Sequence, residues 1–168
     1  KGEAAPAATA PKETATDWNA RGMSFATLNR WTEALECYDK AIALEADAAA
    51  LHNNRGNALR HLGRPEESLA AYDRAIALDP LNAPAFENKA LLYAHAQRNQ
   101  EALACVERSI ALDPTKADPH VIRGVLLGRL GRGQEEIDAY RAAITIDPRN
   151  VEAWFNQANA LGKVNRVL

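Results

Sequence analysis

Apolar side chains recur along this chain with the spacing of an amphipathic helix. In the segment from Pro65 to Leu78, the residues Leu69, Tyr72 and Ile76 fall at i, i+3 and i+7. That spacing places them on one face of a helix rather than on one face of a strand. The segment Leu51–Leu62 precedes it and is predicted to form a separate helix. The pattern therefore predicts pairs of short helices that gain stability by packing against neighbours.

Glycine and proline mark the boundaries of these helices. Gly63 follows the first segment and supplies the left-handed turn with which helices commonly end. Pro65 then suits the first turn of the second helix, because its missing N–H would have no partner there. Asp79-Pro80 ends that helix, since a proline disfavours helical geometry in the residue before it.

The phrase that ends the second helix returns along the chain at a period of 34 residues, as Ala41–Ala46, Ala75–Pro80, Ser109–Pro114 and Ala143–Pro148. A fixed period of this length is typical of stacked copies of one supersecondary unit. We therefore divide the array, residues 15–168, into units 15–48, 49–82, 83–116 and 117–150 and a partial fifth unit, 151–168. Residues 1–14 are rich in Ala, Pro and Thr, and we expect a flexible tail or linker there.

The residues at fixed places in each unit resemble the signature of the tetratricopeptide repeat (TPR) family. In the first unit the matching residues are Trp18, Gly22, Phe25, Ala34 and Tyr38. The resemblance implies an all-α fold, a right-handed α-solenoid with four complete units and the first helix of a fifth. It also implies that the first helices line a concave groove, in which similar proteins bind an extended peptide or a partner segment.

Carrying the family's groove positions onto this chain gives a candidate peptide-binding site. Its residues are Asn53, Asn54, Asn57, Arg60, His61, Asn88, Leu91, His95, Val121, Ile122, Val125, Arg129, Phe155, Asn156 and Asn159. Asparagine recurs among them, and a carboxamide offers a donor and an acceptor together, which suits the backbone of a peptide. We expect an acidic ligand residue near the second and third units and an aliphatic one over the fourth. The alternative is that these asparagines only solvate an exposed groove.

Two departures from the family signature call for separate explanations. A row of mostly basic residues stands where leucine is usual, at Arg21, Arg55, Lys89, Arg123 and Gln157. We expect this row to pair with the acids that end the units, Glu45, Asp79, Asp113 and Asp147, and ligand binding is the alternative. Glu136 occupies a position that is otherwise small, so it either pairs with an arginine or loosens the fourth helix pair.

Composition adds limits on partners and location. The chain carries 20 basic and 22 acidic side chains, for a net charge of −2, which predicts no general attraction to nucleic acid or anionic membrane. No apolar run reaches the length of a membrane span. Cys37 and Cys105 lie two units apart, too far for a disulfide. The unpaired cysteines and the absence of a signal or membrane segment favour the cytoplasm.

Known catalytic and metal-binding motifs are absent from the sequence, which predicts no enzyme, metal or cofactor. We therefore expect a non-enzymatic protein-interaction module. Three other interpretations stay open: a scaffold that self-assembles through uncovered array ends, where Trp154 and Leu161 lie; the recognition arm of a larger enzyme such as a glycosyltransferase; and a spacer.

Overall fold

The structure, a computed structural model, describes residues 12–164. Most of the predicted tail (residues 1–11) and the last four residues of the partial fifth unit (165–168) lie outside the described residues. Within the described range the chain forms nine helices: α1 (Ala15–Thr27), α2 (Trp31–Leu44), α3 (Ala49–His61), α4 (Pro65–Leu78), α5 (Ala83–His95), α6 (Asn99–Leu112), α7 (Ala117–Arg129), α8 (Gly133–Ile146) and α9 (Val151–Val164). None of these helices is long and apolar enough to cross a membrane.

The helices stack as a solenoid. Each odd-numbered helix packs on the even-numbered helix that follows it, and that helix packs on the first helix of the next unit. Successive first helices (α1, α3, α5, α7 and α9) also contact one another, whereas successive second helices in the described range do not. The first helices therefore lie on the inner, concave side of the array. The predicted all-α solenoid is confirmed.

The turn between the two helices of a unit needs one residue in the left-handed conformation. Gly63 and Gly131 take this place with φ of 70° and 75°, and Asn29 and Gln97 take it in the other two units with φ of 58° and 59°. In the second unit this conformation lets the N–H of Arg64 donate to the carbonyl of Leu59 at 3.0 Å. Glycine adopts this geometry without strain, and asparagine tolerates it better than most residues.

In three of the four complete units, a tyrosine on the second helix packs directly against a glycine on the first. The ring of Tyr72 on α4 is fully buried, and a Cβ on Gly56 of α3 would lie 2.5 Å from its Cε1 atom. The same arrangement joins Gly22 to Tyr38 and Gly124 to Tyr140. The third unit instead has Ala90 and Val106 at these places, both fully buried. A larger side chain on one helix is thus matched by a smaller one on the other, as close packing requires.

The prediction that the basic row pairs with the acids ending the units is wrong. Arg55 instead contacts Asp39 on the second helix of the preceding unit, with Nε 2.7 Å from Oδ1. The equivalent pairs are Lys89 with Asp73 at 2.6 Å and Arg123 with Glu107 at 3.6 Å, and Arg21 pairs with Glu13. Arg55, Lys89 and Arg123 therefore join neighbouring units to one another.

The three aspartates that end units bind their own turns. Oδ1 of Asp79 accepts a hydrogen bond from the backbone N–H of Leu81 at 3.0 Å, two residues further on. Asp113 and Asp147 do the same with Thr115 and Arg149. This is the usual local use of aspartate in a turn, and it keeps these carboxylates away from the basic row.

A second set of arginines, one before each second helix, pairs with a glutamate three residues later. Arg64 donates from Nε to Oε1 of Glu67 at 2.7 Å, and these bonds lower the pKa of Glu67 below its ordinary value. The pKa is lowered in the same way for Glu33, Glu101 and Glu135. A depressed pKa stabilises the fold above the ordinary carboxyl value near 4.5 and stops doing so as the pH falls through the folded-state value.

We therefore expect the melting temperature to fall on acidification below about pH 4.5. The matched variant replaces all four acids with glutamine: Glu33→Gln, Glu67→Gln, Glu101→Gln and Glu135→Gln. At neutral pH this variant should melt below the native chain, and near pH 3 the two should converge because the native carboxyls are then protonated. Circular dichroism at a series of pH values measures this. A gap between the two proteins that stays constant with pH would contradict the expectation.

Candidate binding groove

Three cavities follow one another along the first helices and together define the candidate groove. The N-terminal cavity, about 300 Å³, lies among α1, α3 and α5 and includes Asn54 and Asn88. The central cavity, also about 300 Å³, lies between α5 and α7 around Ile122. The C-terminal cavity, about 600 Å³, lies among α7, α8 and α9 around Asn159. Each spans at least two units, so a ligand that follows them would cross the array from unit to unit.

The asparagines of the N-terminal cavity are paired across the units. Nδ2 of Asn54 donates to Oδ1 of Asn19, and Nδ2 of Asn88 donates to Oδ1 of Asn53, both at 3.0 Å. We call these two pairs the asparagine ladder. Because a carboxamide has two N–H groups and two lone pairs on its oxygen, each pair leaves donors and acceptors for a ligand. Pairing also fixes which way each amide points.

Asn57 is held by a different partner. Its Oδ1 accepts a hydrogen bond from the hydroxyl of Tyr72 at 2.7 Å. Burial raises the pKa of Tyr72, so the phenol keeps its proton and remains the donor. The amide nitrogen of Asn57 is then turned away from Tyr72, and it can donate into the cavity that this residue lines.

His61 adds an aromatic surface to the N-terminal cavity. Its ring stacks on Trp31 with centroids 3.8 Å apart and planes 1° from parallel. Nε2 lies 3.2 Å from Nη2 of Arg60, and because arginine only donates, this nitrogen accepts. Burial and then Arg60 lower the pKa of His61 below its ordinary value. The imidazole is therefore neutral near pH 7, and Arg60 carries the charge there.

The central cavity is lined by both apolar and charged residues. Four of the candidate groove residues, Leu91, Val121, Ile122 and Val125, supply the apolar surface. Arg129 also lines it, and Nη1 of Arg129 donates to the carbonyl of Ala94 at 3.0 Å, which holds the guanidinium against α5. His95 joins the lining too, together with the acidic residues Asp118 and Glu152. This apolar surface suits an aliphatic side chain.

The C-terminal cavity is polar and contains a buried acid. Four of the candidate groove residues, Asn156, Asn159, Val125 and Arg129, line it, together with Glu136, Tyr140 and Lys163. Glu136 is only 6% exposed. The expected arginine partner is not what the structure shows: Nζ of Lys163 lies 3.7 Å from Oε1 of Glu136. α8 keeps its packing with both neighbours, so the acid does not loosen the fourth helix pair.

Two predicted residues line none of these three cavities. Asn53 acts through its hydrogen bond to Asn88, and Phe155 is 66% exposed on α9. Sequence reasoning missed lining residues on second helices or in the first unit, among them Met23, Trp31, Tyr38, Glu136 and Tyr140, and others on first helices, such as Asp118 and Gly128. Among these, Glu136 carried a signal, because it breaks the pattern of small residues. Across the described residues, no cluster of three or more His, Cys, Asp or Glu side chains could hold a metal ion.

Comparison with known proteins identifies the repeat. A family model described as tetratricopeptide repeat matches residues 19–83 and 87–151, and a second model with the same description matches 139–167. No curated protein matches the sequence.

Solved structures give the same fold at low sequence identity. A crystal structure of MamA has a TM-score of 0.77 at 21% identity and covers 86% of this chain and 84% of that one. YrrB, described as a TPR protein with an unusual peptide-binding site, has a TM-score of 0.73 at 21% identity over 92% and 80% of the two chains. A thermophilic TPR protein of Thermus thermophilus has a TM-score of 0.76 at 19% identity over 89% and 82%. Since the family models cover most of the chain, it belongs to the tetratricopeptide repeat family.

Proposed function

We propose that this chain is a non-enzymatic interaction module that holds an extended peptide across the three cavities of the groove. Repeats of this family are generally interaction modules without enzymatic activity, and the similar YrrB is described as having a peptide-binding site. The asparagine ladder is the observation that carries the proposal. It presents oriented amides from successive units on the concave side, each with unused donors and acceptors.

The spacing of the ladder fits an extended peptide. Neighbouring helices in such arrays pack about 8–10 Å apart, and three residues of extended chain span about 10 Å. Asn54 and Asn88 lie on adjacent first helices. They can therefore bind equivalent backbone groups on two ligand residues that are three positions apart. Because amides bind the backbone, this contact is independent of the ligand's side chains.

Side-chain preference comes from the surroundings of the ladder. Arg60 supplies positive charge in the N-terminal cavity and favours an acidic ligand residue there, while Ile122 and Val125 favour an aliphatic residue over the central cavity. Arg60 is partly exposed, so we expect added salt to weaken its contribution, since salt screens exposed charges beyond a length of roughly 8–10 Å. The ladder contribution should not depend on salt.

The test uses a peptide selected from a random ten-residue display library and labelled for fluorescence anisotropy. We expect the double variant Asn54→Ala, Asn88→Ala to lose about tenfold to a hundredfold in affinity at every salt concentration, because each lost hydrogen bond contributes about 0.5–1.5 kcal/mol. The pair Arg60→Ala and Arg129→Ala should lose affinity mainly at low salt. Gln100→Ala with Gln134→Ala, on the exposed sides of α6 and α8, is the matched control and should bind normally. The proposal would be contradicted by a selected peptide whose affinity is unchanged in both pairs of groove variants but lost when residues 151–168 are deleted.

Self-association through α9 is the second candidate function. Trp154 is 52% exposed and Leu161 is 42% exposed, and their spacing of seven residues places them on one helix face. The residues equivalent to Leu161 in the second and fourth units, Leu59 and Leu127, are fully buried under the second helix of their own unit. No described helix covers Leu161 in the same way. A second copy of the chain that brings its own apolar face would bury this surface.

If α9 mediates self-association, sedimentation velocity should show the average mass rising with concentration. Trp154→Glu with Leu161→Glu should abolish that rise, because the interface would then bury two unpaired charges. Leu81→Glu, at a residue 70% exposed between α4 and α5, is the control and should leave the mass distribution unchanged. A native chain that stays monomeric at all concentrations would rule out this candidate.

A further inference from the structure

The fourth unit carries a carboxylate where the other units carry a small side chain. Ala34, Ser68 and Ala102 occupy the equivalent position in the first three units and are fully buried, and Glu136 takes that place at 6% exposed. A buried carboxylate costs free energy unless it is paired and hydrogen-bonded. The acid is therefore not explained by packing.

The neighbouring helix leaves room for this carboxylate. A Cβ on Gly128 of α7 would lie 2.7 Å from both Cδ and Oε1 of Glu136. The other complete units have Ala26, Arg60 and Ala94 at the position of Gly128, and the partial fifth unit has Gly162 but no second helix among the described residues. Glycine and glutamate therefore occur together in the fourth unit alone. Because Gly128 has no side chain, the Glu136 carboxylate has room to pack against α7 at the C-terminal cavity.

The described residues compensate the charge of the Glu136 carboxylate only in part. Nζ of Lys163 is 3.7 Å from Oε1 of Glu136, beyond hydrogen-bonding distance, and the lysine side chain is 69% exposed. Arg129 also lines this cavity, but its Nη1 donates to the carbonyl of Ala94 at 3.0 Å. The carboxylate thus keeps acceptor capacity that faces the cavity.

Tyr140 is a second buried polar group at this cavity. Its side chain is 2% exposed and lines the cavity. In the second unit Asn57 accepts the hydrogen bond of Tyr72, but Val125 takes the place of Asn57 and cannot accept one. Burial, then the charges of Glu136 and Glu152, raise the pKa of Tyr140 to about 12. The neutral hydroxyl can therefore give or accept a hydrogen bond with a ligand in the cavity.

We propose that the C-terminal cavity binds a basic side chain, lysine or arginine, of the peptide that lies in the groove. The ligand's cation pairs with Glu136 and donates to the hydroxyl oxygen of Tyr140. Lys163, on the last described helix, is the resident cation that the ligand displaces. An acidic ligand group would instead meet the Glu136 carboxylate. This inference rests on the proposed function, because the groove delivers the side chain to the cavity.

The test measures binding to the full chain by NMR titration with capped pentapeptides. The central residue of Ala-Ala-X-Ala-Ala is lysine, arginine, norleucine or glutamate, where norleucine matches lysine without the charge. The lysine and arginine peptides should shift the amide resonances of Gly128 and Gly162, which line the cavity, at millimolar concentrations. The norleucine and glutamate peptides should not, and free butylamine, which lacks the peptide backbone, should shift them less at the same concentration. A lack of shifts with the basic peptides, or equal shifts with butylamine, would overturn the assignment to a peptide side chain.

Two substitutions separate a binding site from a structural ion pair. Glu136→Gln keeps the shape of the side chain and should weaken the lysine peptide about tenfold or more. Lys163→Met removes the resident cation and should tighten it several-fold. A Glu136–Lys163 pair that only fastens α9 to α8 predicts the opposite for Lys163→Met: a lower melting temperature with no gain in affinity. That result would overturn the inference.

The same variants distinguish this inference from the proposed function. A library-selected peptide that depends on Asn54 and Asn88 but binds Glu136→Gln normally would overturn the inference and leave the groove proposal standing. The opposite result is that Glu136→Gln weakens binding of the lysine peptide, while the library-selected peptides bind equally well without Asn54 and Asn88. That result would overturn the groove proposal instead.

Discussion

Replacing Tyr72 with alanine is expected to lower the free energy of unfolding by about 3–5 kcal/mol, the usual cost of deleting a fully buried aromatic ring. The ring is 0% exposed and lies against Gly56, which has no side chain to fill the space left behind. The substitution also leaves Asn57 without the hydroxyl that donates to it. Urea denaturation followed by circular dichroism measures the loss.

The control for this prediction is Leu81→Ala. Leu81 is also a large apolar residue, but it is 70% exposed, so its truncation should change stability by no more than about 0.5 kcal/mol. Because each unit contacts only its neighbours, hydrogen exchange in Tyr72→Ala should accelerate first in α3 and α4. A change near zero for Tyr72→Ala, or exchange that accelerates evenly along the array, would contradict the packing described here.

The helices and their order followed from local signals in the sequence. Pro65 and Asp79-Pro80 bracket a segment whose apolar stripe is complete, and the structure begins and ends α4 at Pro65 and Leu78. These signals act within a few residues, so they need no knowledge of tertiary contacts. The fixed period then supplies the stacking, since every unit must bury the same face against its neighbour.

Contacts between units could not be predicted in the same way. Arg55 pairs with Asp39, sixteen residues back, because stacking brings α3 alongside the outer part of α2. Which acid it meets depends on the rise and rotation between units, and these are properties of the packed array. The asparagine ladder has the same origin: its partners, such as Asn19 and Asn54, are 35 residues apart.

Part of the candidate site was missed because the family pattern places groove residues on first helices. That pattern led to Asn54 and Ile122, which line cavities in the structure. It could not lead to Trp31 or Tyr140, whose second helices reach the concave side between first helices. Glu136 stood out in the sequence because it replaces a small residue. Its contact with Gly128 depends on the packing of α7 against α8, which the sequence does not show.

The third unit offers a direct test of whether a tyrosine on the second helix requires a glycine opposite it on the first. In the other complete units a tyrosine faces a glycine, and a Cβ on that glycine would lie 2.4–2.6 Å from a ring carbon. Ala90 places such a Cβ opposite Val106, so Val106→Tyr should force the new ring into occupied space. We expect a loss of about 3 kcal/mol or more, at the upper end of the range for overpacking.

Adding Ala90→Gly to Val106→Tyr should recover most of that loss, because it recreates the pair found in the neighbouring units. Ala90→Gly alone should cost about 1 kcal/mol from helix propensity, plus a small cavity. The two substitutions should therefore couple favourably in a double-mutant cycle measured by urea denaturation. Simple additivity of the two losses would show that the third unit accommodates the ring by shifting its helices, and that the glycine opposite each tyrosine is not required for the close approach of the helices.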